Sequence, residues 1–205
     1  MTLHRFNSRP SRRTVLAGIA ASAFAAIAAP AFALTDAQAK SLVDGLVGEI
    51  NKVIGSGASE AQMIAQFERI FARYADVNVI ARSTLGADAR SFSNAQLASF
   101  TDAFSGYISR KYGKRFREFI GGRIEVNEAK QVKTWTEVSA TAYLRGEAPF
   151  EVKFFVSDRS GSNRFFDMVI EGVSMRLTER TEIGAMLDAN GGDIAKLTAQ
   201  LKRAG

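Results

Sequence analysis

The residues able to do acid–base or nucleophilic chemistry are few and poorly placed for it. The only histidine is His4, and the 205 residues include no cysteine. Beyond residue 4 the chain therefore has no Ser–His or Cys–His nucleophile system, and it lacks the usual ligand sets for zinc and other transition metals. The most suggestive carboxylates are Asp167 and Glu171. Four residues apart on one strand, they would be separated by about 13 Å, too far for a retaining glycosidase pair or for a shared metal. They read as structural groups or as groups that dock a partner. A competing enzyme reading takes Asp167 as base and Tyr107 as acid in a conical α+β pocket, but no spacing specifically supports it. The expectation is a protein with no catalytic residue, no metal and no cofactor.

Its richer resource is apolar. There are fifteen Phe and four Tyr, and only Phe6, Phe24 and Phe32 fall within the first 33 residues. The others cluster with aliphatic residues and Met: Phe67, Ile70, Phe71 and Tyr74; Phe100, Phe104, Tyr107 and Ile108; Val152 and Phe154; Phe166, Met168, Ile170, Val173 and Met175. Rings and pliable thioethers of this kind suit an apolar pocket that adapts to acyl chains. The same residues would equally suit a close-packed core, and periodicity does not separate the two. Arg110, Lys111, Lys114, Arg115 and Arg117 form a local basic run, readable as a solvated face or as a contact for an anionic head group or acidic partner.

These groups are placed by helices first and strands afterwards. Thr35-Asp36-Ala37-Gln38, Ser59-Glu60-Ala61-Gln62 and Ser93-Asn94-Ala95-Gln96 each read as a capping box opening a helix. The first helix carries Leu42, Val43, Leu46, Val47, Ile50 and Ile54 at helical spacing and ends at Gly55-Ser56-Gly57. The second carries Met63, Ile64 and the Phe67–Tyr74 set. A short third holds Val79, Ile80 and Leu85, and a long fourth runs from Leu97 through Tyr112, Phe116 and Phe119 to a stop at Gly121-Gly122. After residue 122 the apolar period changes from near 3.6 to 2, the mark of a sheet. Strands are predicted around Ile124–Val126, Val138–Leu144, Phe150–Val156 and Phe166–Ile170, with a bulge or bend at Gly172 where the alternation passes to Val173, Met175 and Leu177. Helices return around Ile183–Leu187 and after Asp193. The class is α+β: N-terminal helices on a twisted antiparallel sheet of about four strands, followed by C-terminal helices.

The first 33 residues follow another plan. Arg5, Arg9, Arg12 and Arg13 precede an apolar stretch from Val15 to Ala29, and Ala31-Phe32-Ala33 supplies the small residues a signal peptidase reads. The stretch falls short of the roughly 20 apolar residues of a bilayer-spanning helix. Residues 1–33 are thus expected to be a cleaved export signal and residues 34–205 a single domain with no stable membrane anchor. Ser11-Arg12-Arg13-Thr14-Val15-Leu16 is twin-arginine-like, with Val15 where that motif usually has Phe, and the general secretory route stays open. The formal +6 of the chain includes the four signal arginines, so the domain lacks the strong basic patch of a nucleic-acid binder.

Three segments carry a family resemblance: Phe67–Phe71 running into Asp76–Gly86, the aromatic helix Gln96–Tyr112, and Phe166-Asp167-Met168-Val169-Ile170-Glu171-Gly172-Val173-Ser174-Met175. In these the chain resembles the MlaC-like, or toluene-tolerance, periplasmic lipid-binding proteins across nearly all of residues 34–205. It departs from many relatives at Ala87-Asp88-Ala89, where they place an aromatic–basic pair. The resemblance implies a periplasmic, monomeric carrier whose apolar clusters enclose a hollow pocket. It implies phospholipid as cargo and, as partners, an outer-membrane lipoprotein complex and an inner-membrane ABC transporter, in the service of outer-membrane lipid asymmetry. A branch of the same family is linked to hopanoid lipids, and that cargo stays open. So does an envelope assembly factor with a filled core.

Overall fold

The computed structural model describes residues 34–205, apart from the side chains of Phe116 and Arg117; the expected export signal lies outside the described residues. The chain runs α1 (Asp36–Gly55), α2 (Glu60–Tyr74), α3 (Val77–Leu85), α4 (Asn94–Gly113), β1 (Arg123–Val132), β2 (Trp135–Tyr143), β3 (Phe150–Ser157), β4 (Arg164–Ile170), β5 (Val173–Ser174), α5 (Met175–Ala189) and α6 (Ile194–Leu201). This is the expected α+β order.

The three capping boxes form. Thr35, Ser59 and Ser93 each accept from the backbone of the glutamine three residues on, and Gln38, Gln62 and Gln96 return the bond to the cap. Each satisfies amides that a helix start would otherwise leave free. Asp193 caps α6 through the amides of Ala195 and Lys196. α4 ends at Gly113 and passes into a 3-10 turn (Lys114–Arg117), so the predicted extension of that helix to Gly121-Gly122 is corrected. Gly113 also sets the α2–α4 crossing, because a Cβ there would sit 2.8 Å from Cγ1 of Ile64.

The sheet is an antiparallel meander in the order β1-β2-β3-β4-β5. It has five strands rather than about four. The added one is two residues long and follows a tight turn at Glu171 and Gly172, with φ of 48° and 82°. Two consecutive positive φ values reverse the chain at once, in the manner of a primed hairpin turn. Gly172 therefore turns the chain back, not bends it onward, and Met175 and Leu177 belong to α5 instead of continuing the strand.

α1 lies on β1 and β2, burying Val43, Leu46, Val47 and Ile50. Asn51 fastens it by accepting from Ile124 N–H at 3.0 Å and donating to Ile124 C=O at 2.9 Å. Small residues, Ala140 and Ala142, let this half of the sandwich close. α2 and α4 pack on each other and α4 also on α6, and these two helices make little direct contact with the sheet. Among the described residues, no helix is long and apolar enough to cross a membrane.

Candidate functional site

Because α2 and α4 stand off β3 and β4, a cavity of about 700 Å³ remains between helices and sheet. Its helical wall is Leu46 and Ile50 of α1, Phe67, Ile70 and Phe71 of α2, Ile80 of α3, and Phe104, Ile108 and Tyr112 of α4. Its sheet wall includes Ile124, Phe150, Val152, Phe154, Met168 and Ile170. Aromatic contacts join the two walls. Phe165 meets Phe71 with ring centroids 6.2 Å apart and Phe154 edge-on at 5.8 Å, while Phe67 stacks on Phe71 at 6.0 Å. The volume is well above the ~300 Å³ at the low end of small-molecule pockets.

A model of the MlaC protein family matches residues 40–203. The chain belongs to the MlaC family. Its fold is also that of a solved structure from Ralstonia solanacearum, described as a phospholipid-binding protein in complex with a phospholipid. That likeness has a TM-score of 0.66 at 16% identity, covering 80% of this chain and 98% of the other.

Of the fifteen pocket residues expected from the sequence, twelve line the cavity of this MlaC-family chain: Phe67, Ile70, Phe71, Phe104, Ile108, Val152, Phe154, Phe166, Met168, Ile170, Val173 and Met175. Three do not. The Tyr74 hydroxyl donates to Glu49 Oε1 at 2.9 Å, in a site made roomy by the absent side chain of Gly45. Phe100 is fully buried beside Phe104 with centroids 5.9 Å apart, as core. The Tyr107 hydroxyl donates to Glu182 Oε2 at 3.1 Å.

Phe166 needs a correction of face. Phe154 pairs with Met168, but the register shifts between Phe155 and Val156, so that Phe165 pairs with Val156 on the buried side. The Phe166 ring packs 6.2 Å from those of Trp135 and Phe155, so Phe166 borders the cavity without sharing the inward face of Phe165. A β-bulge of this kind inverts side-chain parity beyond it.

Asp167 is nine-tenths buried, and both of its oxygens are engaged. Oδ1 accepts from the amides of Met168 and Arg176, and Oδ2 accepts from the Ser174 hydroxyl at 2.7 Å. It thus holds the start of α5, where a negative charge complements the helix dipole. Glu171 sits in the turn, off the strand assumed for it. With Asp167 so engaged and Tyr107 outside the cavity wall, the acid–base pair of the enzyme reading is not assembled. Among the described residues there is no cluster of His, Cys, Asp and Glu able to hold a metal.

The basic run divides: Lys114 and Arg115 are exposed, while Arg110 and Lys111 are half-buried and bonded within the fold. Arg110 donates to the carbonyls of Ala204 and Leu201, and Lys114 to that of Gly205, closing the C-terminal end of α6. Arg115 alone of the four whose side chains are described reaches the cavity wall; Arg117 lies outside them. Lys111 bridges α4 to α5, with Nζ 2.7 Å from Glu179 Oε1 and 2.6 Å from Glu182 Oε2. Tyr112 donates to the same Glu179 oxygen at 2.6 Å.

This cluster shapes its own titration. Burial, with Glu179 close by, pushes the Tyr107 hydroxyl up to about 12, and burial together with the hydrogen bond to Glu179 raises Tyr112. Burial alone would lower Lys111, but its bonds to the two glutamates outweigh that and leave it raised; the bond from Lys111 holds Glu182 low. No spacing in the sequence announces the arrangement. Lys111 and Glu179 lie 68 positions apart and meet only because the fold, which packs α5 on α3 and β4, brings α5 side chains within reach of α4.

Proposed function

We propose that the protein is an exported periplasmic carrier of phospholipid that catalyses no reaction. In this reading residues 1–33 direct export and are removed, and the twelve cavity-lining residues named above hold the acyl chains. The carrier moves as a monomer between an outer-membrane lipoprotein complex and an inner-membrane ABC transporter, serving outer-membrane lipid asymmetry. The observation that carries the reading is the apolar cavity of about 700 Å³ between aromatic helices and sheet in a chain of the MlaC family. A filled core would have left nowhere for a lipid tail.

Energetics shape how such a carrier works. Burying a methylene from water yields about 0.8 kcal/mol, so two chains of roughly 16 carbons contribute on the order of 25 kcal/mol. A lipid so held hardly ever escapes into water. Transfer from a bilayer exchanges one apolar surrounding for another, and most of that term cancels. Release therefore belongs to the docked state, at a membrane-bound partner. Mass spectrometry of the protein purified natively from the periplasm tests the proposal. Near-stoichiometric phospholipid is expected, and protein consistently free of any lipid would sink it; a hopanoid in its place would reassign the cargo.

A further inference from the structure

Two buried polar atoms of α5 have no hydrogen-bond partner, and they are of opposite kind. Nε of Arg176 is a donor; Oε2 of Glu179 is an acceptor. The nearest acid to Arg176 Nε is Asp167 Oδ2, at 3.6 Å, close enough for charge attraction but beyond a hydrogen bond. Glu179 is only 2% exposed and spends Oε1 on Lys111 and Tyr112, leaving Oε2 unused. Both residues line the cavity. Leaving such groups unsatisfied costs about 1–3 kcal/mol each, so a pair of them in one wall calls for an occupant.

Positions i and i+3 share a helix face, with roughly 5–6 Å between Cβ atoms. A free donor of positive charge and a free acceptor of negative charge at that spacing complement a ligand carrying both signs. The surrounding charge favours its cationic end. Glu118, Glu147, Asp167, Glu171 and Glu179 line the cavity against only Arg115 and Arg176. Lys111 does not redress the balance, because Glu182 shares its charge. An excess of carboxylates on low-dielectric walls attracts cations and repels anionic head groups.

We infer that Arg176 and Glu179 form a two-point seat for a zwitterionic lipid head group, Arg176 Nε donating to its phosphate and Glu179 Oε2 accepting from an ammonium N–H. The inference rests on the carrier reading and sharpens it. The preferred cargo is an ethanolamine-type phospholipid over a choline-type one, whose quaternary ammonium has no N–H, and over a purely anionic one.

The test is a methylation series on lipid-free protein of residues 34–205. Short-chain phosphatidylethanolamine, its N-methyl and N,N-dimethyl derivatives, phosphatidylcholine and phosphatidylglycerol are titrated by calorimetry. The first three keep an N–H and should bind alike; phosphatidylcholine, with the same charge but no N–H, should bind about tenfold weaker or worse, and phosphatidylglycerol weaker too. E179Q should at least halve the gap between ethanolamine and choline lipids. R176Q should weaken all the lipids together and leave the gap in place. The wild-type series alone decides the matter if either variant folds poorly. An affinity that is flat across the series, that falls evenly with each methyl group, or that is as high for phosphatidylglycerol overturns the seat while sparing the carrier reading. Failure to bind any of the five sinks both.

Discussion

The backbone N–H of Leu34 donates to Oδ2 of Asp158 at 3.1 Å, tying the approach to α1 to the β3–β4 turn across 124 residues of sequence. Leu34 is itself buried. If export removes residues 1–33 as proposed, this amide becomes the terminal ammonium, and a neutral–ionic hydrogen bond becomes an ion pair with a charge-assisted bond. Two outcomes are expected. Terminal sequencing of periplasmic protein reads Leu-Thr-Asp, and D158N lowers the urea-measured stability of the processed chain by about 1–2 kcal/mol. In a chain extended by one residue before Leu34 the same substitution should cost less; equal costs would show that no ion pair forms.

Asp167 should prove a structural residue. Its carboxylate satisfies the Arg176 amide and the Ser174 hydroxyl, and Ser174 in turn caps α5 through the Leu177 amide. D167A strands these donors and removes the negative charge at the helix start. A loss of about 2–4 kcal/mol in unfolding free energy is expected, with a corresponding drop in the thermal midpoint. A variant of unchanged midpoint would contradict this role.

What was legible in the sequence follows the range of the interactions. The capping boxes and helical faces depend on residues three or four apart, and the alternation in β2 and β3 on residues two apart, so a short window contains them. The inner faces of α2 and α4 were readable in the same way. The bulge was not: Phe165 and Phe166 are both aromatic, and which of them turns inward is decided by the pairing with β3. Leu46 and Ile50 were legible as an apolar stripe of α1, but their place in the cavity wall depends on how far α2 and α4 stand off the sheet. The same holds for Lys111, which looked like one member of a basic run and proves to be a bridge to a helix 68 residues on.

That bridge gives stability a definite pH dependence. Lys111 is raised in the fold, so its contribution is complete below the unfolded lysine value near 10.4 and is lost as pH rises through the folded value. Tyr107, raised to about 12, acts with the same sign over the window from about 10 upward. Glu182 is lowered, so its contribution is present above roughly 4.3 and is lost as pH falls through its folded value. Unfolding free energy should therefore be level between about pH 6 and 9 and fall on both sides. Y107F should blunt the alkaline fall most and the acid fall slightly, because the lost hydroxyl also donates to Glu182 and helps to hold it low. A wild-type curve level to pH 11 would contradict the arrangement.

Filling the cavity separates a hollow carrier from a packed core. Ile170 lines the cavity and is only half-buried. If its surroundings were close-packed, I170W would force an indole into occupied space and cost about 1–3 kcal/mol. With some 700 Å³ empty beside it, the ring has room and displaces cargo instead. The expected result is a protein whose unfolding free energy stays within about 1 kcal/mol of the parent, or rises, while the phospholipid it retains falls by more than half. Lipid content and stability are measured on the same preparation, so the alternatives predict opposite pairs of results: a destabilised variant that keeps its lipid would mean that the cargo, if any, lies elsewhere.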